Sequence, residues 1–250
     1  VAAQVMAMVA LARANVTLSG CLQVAIVSDE ESGALFGTHW LRKEGILQPD
    51  ALVVGEQTDN QIGVAERVTC GIDLTVFGKS AHGAMPWAGD NAVMKTARVL
   101  TWLEKEYFPK LAKITHPYLP PATLNIGRIT GGIQWSIVPE SCKVEMDRRL
   151  LPGETREEAM KGLVDALDCY AESVEPLKYG LFSTGEIAGN INTSATAPFV
   201  QLARESLTAC CRTDRELTGY VQTSDGRWFS RDGIPIIIFG FSGVVVSSNH

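Results

Sequence analysis

Positive charge is in short supply here: 22 lysines and arginines face 28 aspartates and glutamates, for a net charge of −6. That leaves no basic footprint for a phosphate backbone, which argues against nucleic acid as a partner. Long apolar runs are missing too. Stretches such as Ile234–Phe239 fall far short of the roughly 20 residues that cross a bilayer, so a membrane is not expected as a partner either. The 6 cysteines include no CxxC pair. They read as buried thiols of a reducing, cytoplasmic compartment rather than as zinc ligands or a disulfide framework. Cys210–Cys211, inside a helical pattern, is expected to be partly core. There is no visible signal peptide, repeat or low-complexity segment.

What is present is ordinary globular composition, 46% hydrophobic and 20% charged over 250 residues, enough for one large domain or two smaller ones. Val1 opens directly into an amphipathic helical pattern, "VAAQVMAMVALARA", with no capping residue before it, and His250 ends the chain in a loop. Both ends read as cut, so an internal piece of a longer protein is expected. The first part alternates helix 1–14, strand 20–28, helix 33–44 and strand 51–55. Its strands are apolar throughout, as in a parallel sheet covered on both faces.

From residue 68 the pattern changes. "CGIDLTVFG" alternates as a half-exposed strand, followed by helix 90–107 and strands near 122–130 and 140–150. A second helix, "TREEAMKGLVDALDCYAES", has Thr155 as N-cap and Glu158 at its capping-box position. A last strand lies near 174–183. That order is β-α-β-β-α-β, a split sandwich with two helices on one face. Beyond the "TGEIAGNINTSATAP" loop come helix 197–211, a strand near 218–222, a short helix after Ser224 and strand 234–239. The predicted fold is therefore α/β: a mostly parallel-sheet domain of residues 1–65 and 187–250, interrupted by an inserted ferredoxin-like sandwich of residues 66–186.

"VAIVSDEESG" runs from an apolar strand into Asp29, Glu30 and Glu31, and Glu56 follows "ALVVG" in the same way. In an open α/β sheet, ligands bind beyond the carboxyl ends of the strands. Carboxylates that converge there raise one another's proton affinity unless a cation sits among them. A divalent metal supplies that charge and makes hydroxide available at neutral pH. The triplet alone also reads as a solvated acidic turn; the independent arrival of Glu56 weighs against that.

Five stretches occur in order: "SDEESGALFG", "VVGEQTD", "FGKSAHGAMPWAGDNAV", "GGIQWSIVPESCKVEMDRRLLPGET" and "TSDGRWFSRDGIPIIIFG". Together, over nearly the whole chain, they resemble the co-catalytic zinc family of acetylornithine deacetylase, succinyl-diaminopimelate desuccinylase, aminoacylase and carboxypeptidase G. The resemblance implies a metallohydrolase domain with two divalent ions, zinc first and cobalt or manganese as alternatives. It implies that Glu30 is the general base, that Glu31 ligates one metal and that Glu56 ligates the other. His82 would reach into the partner subunit's site and steady a tetrahedral oxyanion, which makes the sandwich a lid and dimerisation domain and the protein a homodimer. Arg149 would grip a substrate carboxylate, for which a guanidinium is suited. Asn91 and Thr223 would lie near the substrate, and Ser136 stands where relatives often carry Asn.

Neighbouring residues supply plainer readings. Arg148 and Arg149 are adjacent on a strand and point to opposite faces, so Arg148 is left to a surface ion pair with Asp147 or Glu145. Ser224 or Asp225 caps a short helix. "GRITGG" is a strand-connecting turn, and His39 and His116 are structural.

By the same resemblance an upstream His and a bridging Asp would precede Val1, and a last His ligand would follow strand 234–239, where His250 is the candidate. The chain alone is then expected to be inactive. Its parent would hydrolyse the amide bond of an N-acyl amino acid, as a deacetylase or desuccinylase does. A dipeptidase or carboxypeptidase of the same family is the alternative. Beyond those stand a non-catalytic relative that keeps the sandwich as a dimerising module and an α/β binding protein with an acidic rim.

Overall fold

The computed structural model describes residues 1–185, 188–212 and 216–241. The elements up to the first long helix are α1 (Ala2–Arg13), α2 (Thr38–Lys43), β1 (Leu52–Val54), β2 (Ile62–Glu66), β3 (Val68–Phe77) and α3 (Ala92–Glu106). Then follow α4 (Phe108–Leu111), β4 (Thr123–Gly131), β5 (Ser141–Leu150), α5 (Arg156–Ser173), β6 (Lys178–Thr184), α6 (Pro198–Cys211), β7 (Leu217–Tyr220) and β8 (Ile236–Ile238). Turns of 3-10 helix lie at Glu30–Ser32, Pro86–Ala88 and Asp225–Phe229.

Period-2 alternation builds one of two sheets. In β3, Cys70, Ile72, Leu74 and Val76 are buried while their neighbours are more open. In β5, Cys142, Val144, Met146, Arg148 and Leu150 face the same way. These inward rows pack beneath Val99 and Leu103 of α3 and Leu163, Leu167 and Tyr170 of α5. Burying each such aliphatic side chain contributes about 1.5–3 kcal/mol. The strands run in the order β4-β5-β3-β6, all antiparallel, the topology expected for β-α-β-β-α-β. Thr155 and Glu158 complete the expected capping box on α5.

Arg148 is not the surface residue that the sequence suggested. Its inward parity on β5 leaves its side chain 2% exposed, ion-paired with Glu154 and donating to the Arg149 carbonyl. Arg149, on the open face, is the arginine that pairs with Asp147, through Nε at 3.0 Å.

The second sheet has the order β1-β8-β2-β7, in which β1–β8 and β2–β7 are parallel. Every residue of β2 is buried, with Val200 of α6 packed on Ile62, Val64 and Ile237. Four expectations fail in this part. Residues 20–28 form no strand: they are mostly exposed and pair with no strand among the described residues, and a strand exists only by its ladder. Helix 33–44 shortens to α2 because Gly33 and Ala34 turn with φ of 106° and 61°, a conformation a right-handed helix cannot hold. Helix 1–14 forms as α1 but buries none of its residues; its sequence is apolar on all sides rather than amphipathic. Cys210 and Cys211 are exposed, not core, whereas Cys70 and Cys142 are buried.

The two sheets are joined at Arg67, between the end of β2 and the start of β3. The return segment lies alongside, with Ala65 bridged to Asn192, Glu66 N donating to Ile191 O (3.1 Å) and Thr193 N donating to Val64 O (2.8 Å).

Candidate metal and substrate site

Four carboxyl groups share one neighbourhood at the carboxyl ends of the β1–β8 strands. Glu30 and Glu31 arrive on the 3-10 turn that follows Asp29, whose own backbone is left-handed (φ 72°) and whose Oδ2 accepts from Phe36 N at 3.0 Å. Behind that turn Gly37 presses on the Ser28 carbonyl, where any Cβ would collide. Glu56 follows β1, and Gly240, just past β8, allows the same close approach to the Glu56 backbone. Asp225 comes from the turn after Ser224 and accepts from Thr38 Oγ1 of α2 at 2.6 Å.

The electrostatics bear the strain of this grouping. Burial first, then Asp225, Glu56 and Glu31, push the Glu30 carboxyl above its ordinary range, with Arg227 opposing. Burial, Asp225 and Glu31 also raise Glu56, against the hydroxyl of Tyr220, which donates to Glu56 Oε2 at 2.9 Å. Burial and Asp29 raise Asp225, whose Oδ1 has no hydrogen-bond partner among the described residues. Tyr220 itself is pushed far up by burial and by Glu56. Oxygen donors that repel one another in this way suit a divalent cation. No group of three or more His, Cys, Asp or Glu side chains closes to metal-binding distance among the described residues. The acids alone therefore form no complete metal site among the described residues. His250 lies outside the described residues.

A second set of side chains meets this neighbourhood from the antiparallel sheet. Thr69 is paired with Arg149 across β3 and β5, and its hydroxyl lies 3.4 Å from that of Thr223. Thr223 Oγ1 donates to Arg67 O at 2.9 Å. Burial, followed by the charge of Arg149, lowers the Arg67 guanidinium. Thr69 thus links Arg149, its partner across the ladder, to Thr223 beside the joint, two residues before Asp225.

His82 and Asn91 are not. Asn91 caps α3, its Oδ1 accepting from Met94 N at 3.0 Å. His82 is exposed, bridged to Ile137, and its Nδ1 accepts from Ala84 N at 3.1 Å. With Ser136 they occupy the end of the sheet away from the joint, around a cavity of about 570 Å³ walled by Asn91, Gly131 and Trp135. Eight residues of β5 separate Ser141 at that end from Arg149, roughly 26 Å at about 3.3 Å per residue.

Two other histidines behave structurally: His39 stacks on Trp228 at 4.2 Å, and His116 meets Asn192 Oδ1 at 3.3 Å. Glu66 is the group that sequence reading missed. It is fully buried at the end of β2, its Oε2 accepts from Ser224 N (3.0 Å) and Oγ (2.6 Å), and burial raises its pKa to about 8. The available signal was a carboxylate closing the apolar run "IGVAE", since ionisable side chains are rarely buried without a dedicated partner.

Residues 64–175 match the peptidase dimerisation domain of the M20 family. The chain is 28% identical over 232 residues to succinyl-diaminopimelate desuccinylase of Marinobacter nauticus, covering 88% of this chain and 58% of that protein. It is 28% identical over 191 residues to acetylornithine deacetylase of Myxococcus xanthus, covering 76% and 50% respectively. Among solved structures, a tripeptidase from Staphylococcus aureus superposes with a TM-score of 0.69 at 23% identity, over 86% of this chain and 54% of that one. A dinuclear metal-binding M20 peptidase from Bacillus subtilis superposes with a TM-score of 0.58 at 14% identity, over 84% and 53%. The chain thus spans between half and three-fifths of the length of these relatives.

Proposed function

We propose, from the match of residues 64–175 to the M20 peptidase dimerisation domain and the similarity to a desuccinylase and a deacetylase, that this chain is part of an M20-type metal-dependent hydrolase cleaving the amide bond of an N-acyl amino acid. The observation that carries this reading is the gathering of Glu30, Glu56 and Asp225 at neighbouring strand ends, where burial raises all three and Asp225 further raises both Glu30 and Glu56. Such a grouping is costly in a merely structural protein, and proton affinities displaced by burial and like charge mark sites of chemistry.

Glu31 and Glu56 are the residues that would hold metal, zinc first and cobalt or manganese as alternatives, with the rest of the shell supplied from outside the described residues. The bound ions supply Lewis acidity toward the amide carbonyl and toward water. Glu30, raised and half-buried, takes a proton from the attacking water and returns it to the departing amine. Arg149, already oriented by Asp147 on the open face of β5, holds the free carboxylate of the substrate with Thr223 beside it. This arrangement suits an amide adjacent to a carboxylate and supports deacetylase or desuccinylase chemistry, with dipeptide cleavage as the alternative.

His82 completes the site from a second copy. The span along β5 keeps the His82 of one chain far from its own Glu30, so its role in steadying the oxyanion calls for a homodimer formed through the inserted unit, taken as residues 66–186.

The test is a hydrolysis screen of the zinc-loaded, complete gene product on acetyl, succinyl and dipeptide substrates, alongside Glu30→Gln. Turnover of an acyl amino acid, abolished in the variant while the metal content stays near two ions per subunit, is the expected result. An intact parent that binds no metal, or full activity in the variant, would defeat the reading.

A further inference from the structure

We infer that Glu66 is a positioning residue: from the joint between the sheets it holds the Thr223–Arg227 turn against the acid cluster, acting through Ser224. The inference rests on the hydrolase reading of that cluster. Glu66 ends a strand whose every residue is buried, a place where a carboxyl group is expensive and an aliphatic side chain would serve the packing better. What the carboxyl does there is specific. One oxygen, Oε2, takes both donors of Ser224, at 3.0 Å and 2.6 Å, and the other, Oε1, has no partner among the described residues. Ser224 Oγ in turn accepts from Gly226 N at 3.3 Å and so caps the short helix that begins at Asp225.

The neighbours of Glu66 act on the same turn. Arg67 Nε donates to Val221 O at 3.0 Å, and Thr223 Oγ1 donates to Arg67 O at 2.9 Å. The joint therefore grips residues 221–224 along their length. Asp225, next in the chain, is fixed instead to Thr38 on α2. Release of Ser224 frees one of the two anchors that set Asp225 beside Glu30 and Thr223 beside Arg149. Among the described residues Glu66 hydrogen-bonds to none of Glu30, Glu31 and Glu56, though its charge and that of Glu56 act on each other; Glu66→Gln removes the charge and keeps the acceptor, which separates that route from the turn.

The experiment uses the zinc-loaded, complete gene product with Glu66→Ala, Glu66→Gln, Ser224→Ala and the double alanine variant, assayed well below their melting temperatures. Each alanine variant is expected to lose about 10- to 100-fold in kcat/KM, the usual scale for residues that orient a site's working groups. The double variant should be no worse than the weaker single, because one interaction is removed twice. Glu66→Gln should recover near wild-type kcat and KM, since its amide oxygen accepts the same two bonds. The Ser224 amide should exchange its proton faster in Glu66→Ala.

Unchanged kcat and KM in folded Glu66→Ala, or losses that add in the double variant, would overturn the assignment. A wild-type protein that hydrolyses none of the amides overturns the hydrolase reading instead, and unchanged exchange at Ser224 then overturns the role of Glu66 independently. If Glu66→Ala does not fold, full activity in Ser224→Ala has the same force.

Discussion

Glu66→Gln is expected to flatten the dependence of folding stability on pH. The carboxyl of Glu66 has an ordinary value of 4.5 and is raised by burial to about 8 in the fold. At pH values below 4.5 both the unfolded and the folded chain keep the proton, and the group costs nothing. As pH rises from 4.5 toward 8, the unfolded chain releases the proton while the fold retains it, so stability falls; above 8 the loss is complete. The gap, 8 − 4.5 = 3.5 units, amounts to about 5 kcal/mol in full at about 1.4 kcal/mol per unit, of which about 3 kcal/mol falls between about pH 5 and pH 8. Solvent does little to screen a side chain that is 0% exposed.

Gln keeps an acceptor for Ser224 but has no proton to lose. Glu30, Glu56 and Asp225 are also raised and lower stability with pH in the same sense, but they are common to both proteins and cancel in the difference. The assay is urea unfolding of wild type and Glu66→Gln in a chelator, at about pH 5 and about pH 8. The stability of the variant relative to wild type is expected to rise by about 3 kcal/mol between them, roughly 6–12 °C in Tm for a chain of this size. A relative stability that stays constant across the range would show that the carboxyl ionises as freely in the fold as outside it, and the argument from its burial would fail.

In the antiparallel sheet, the Arg148–Glu154 pair is 2% and 15% exposed, which places it in the buried regime. Glu154→Leu should therefore cost about 3–5 kcal/mol in urea melts, while Arg148→Met with Glu154→Leu should return close to wild type. Mixing Glu30→Gln with His82→Ala subunits should restore about a quarter of wild-type activity, because half the random dimers are hybrids with one complete site; no recovery would place His82 and Glu30 in the same chain's site. Arg149→Ala should raise KM for carboxylate-bearing substrates by about 10- to 100-fold with a smaller change in kcat. Zinc added to chelated protein should raise Tm in proportion to the logarithm of its free concentration, and an unchanged Tm would argue against metal at the cluster.

The antiparallel sandwich was legible because each of its signals is local. Alternation in "CGIDLTVFG" needs only period 2, and Thr155 with Glu158 needs only four residues. The parity of β5 was only half legible: adjacency puts Arg148 and Arg149 on opposite faces, but a charged side chain is expected at the surface, and the buried row of Cys142, Val144, Met146 and Leu150 takes in Arg148 because Glu154 pairs with it. The parallel part was harder to read. "VAIVS" has the composition of a strand, yet composition cannot provide the neighbouring chain that a ladder requires, and residues 20–28 stay unpaired. Glu66 escaped for a different reason. Its meaning lies in Ser224, 158 positions along the chain, and only the pairing of β2 with β7 brings that loop to the joint.

The same geometry divides the candidate residues into two sets, and the division has a cause. β5 holds Arg149 at one end and opens at Ser141, beside the loop carrying Ser136, at the other. A rigid strand of that length cannot deliver both ends to one acidic cluster. Arg149 lies across the ladder from Thr69, which meets Thr223 beside the joint, so in the proposed reading the near end would belong to the chain's own site. The far end holds His82, the cap at Asn91 and the exposed Trp135, and in the proposed reading it would serve a site on another molecule. On the proposed homodimer, two copies related by a twofold axis would satisfy both ends at once, each lending the residue that its own strand carries out of reach, and the subunit-mixing experiment is the test of that arrangement.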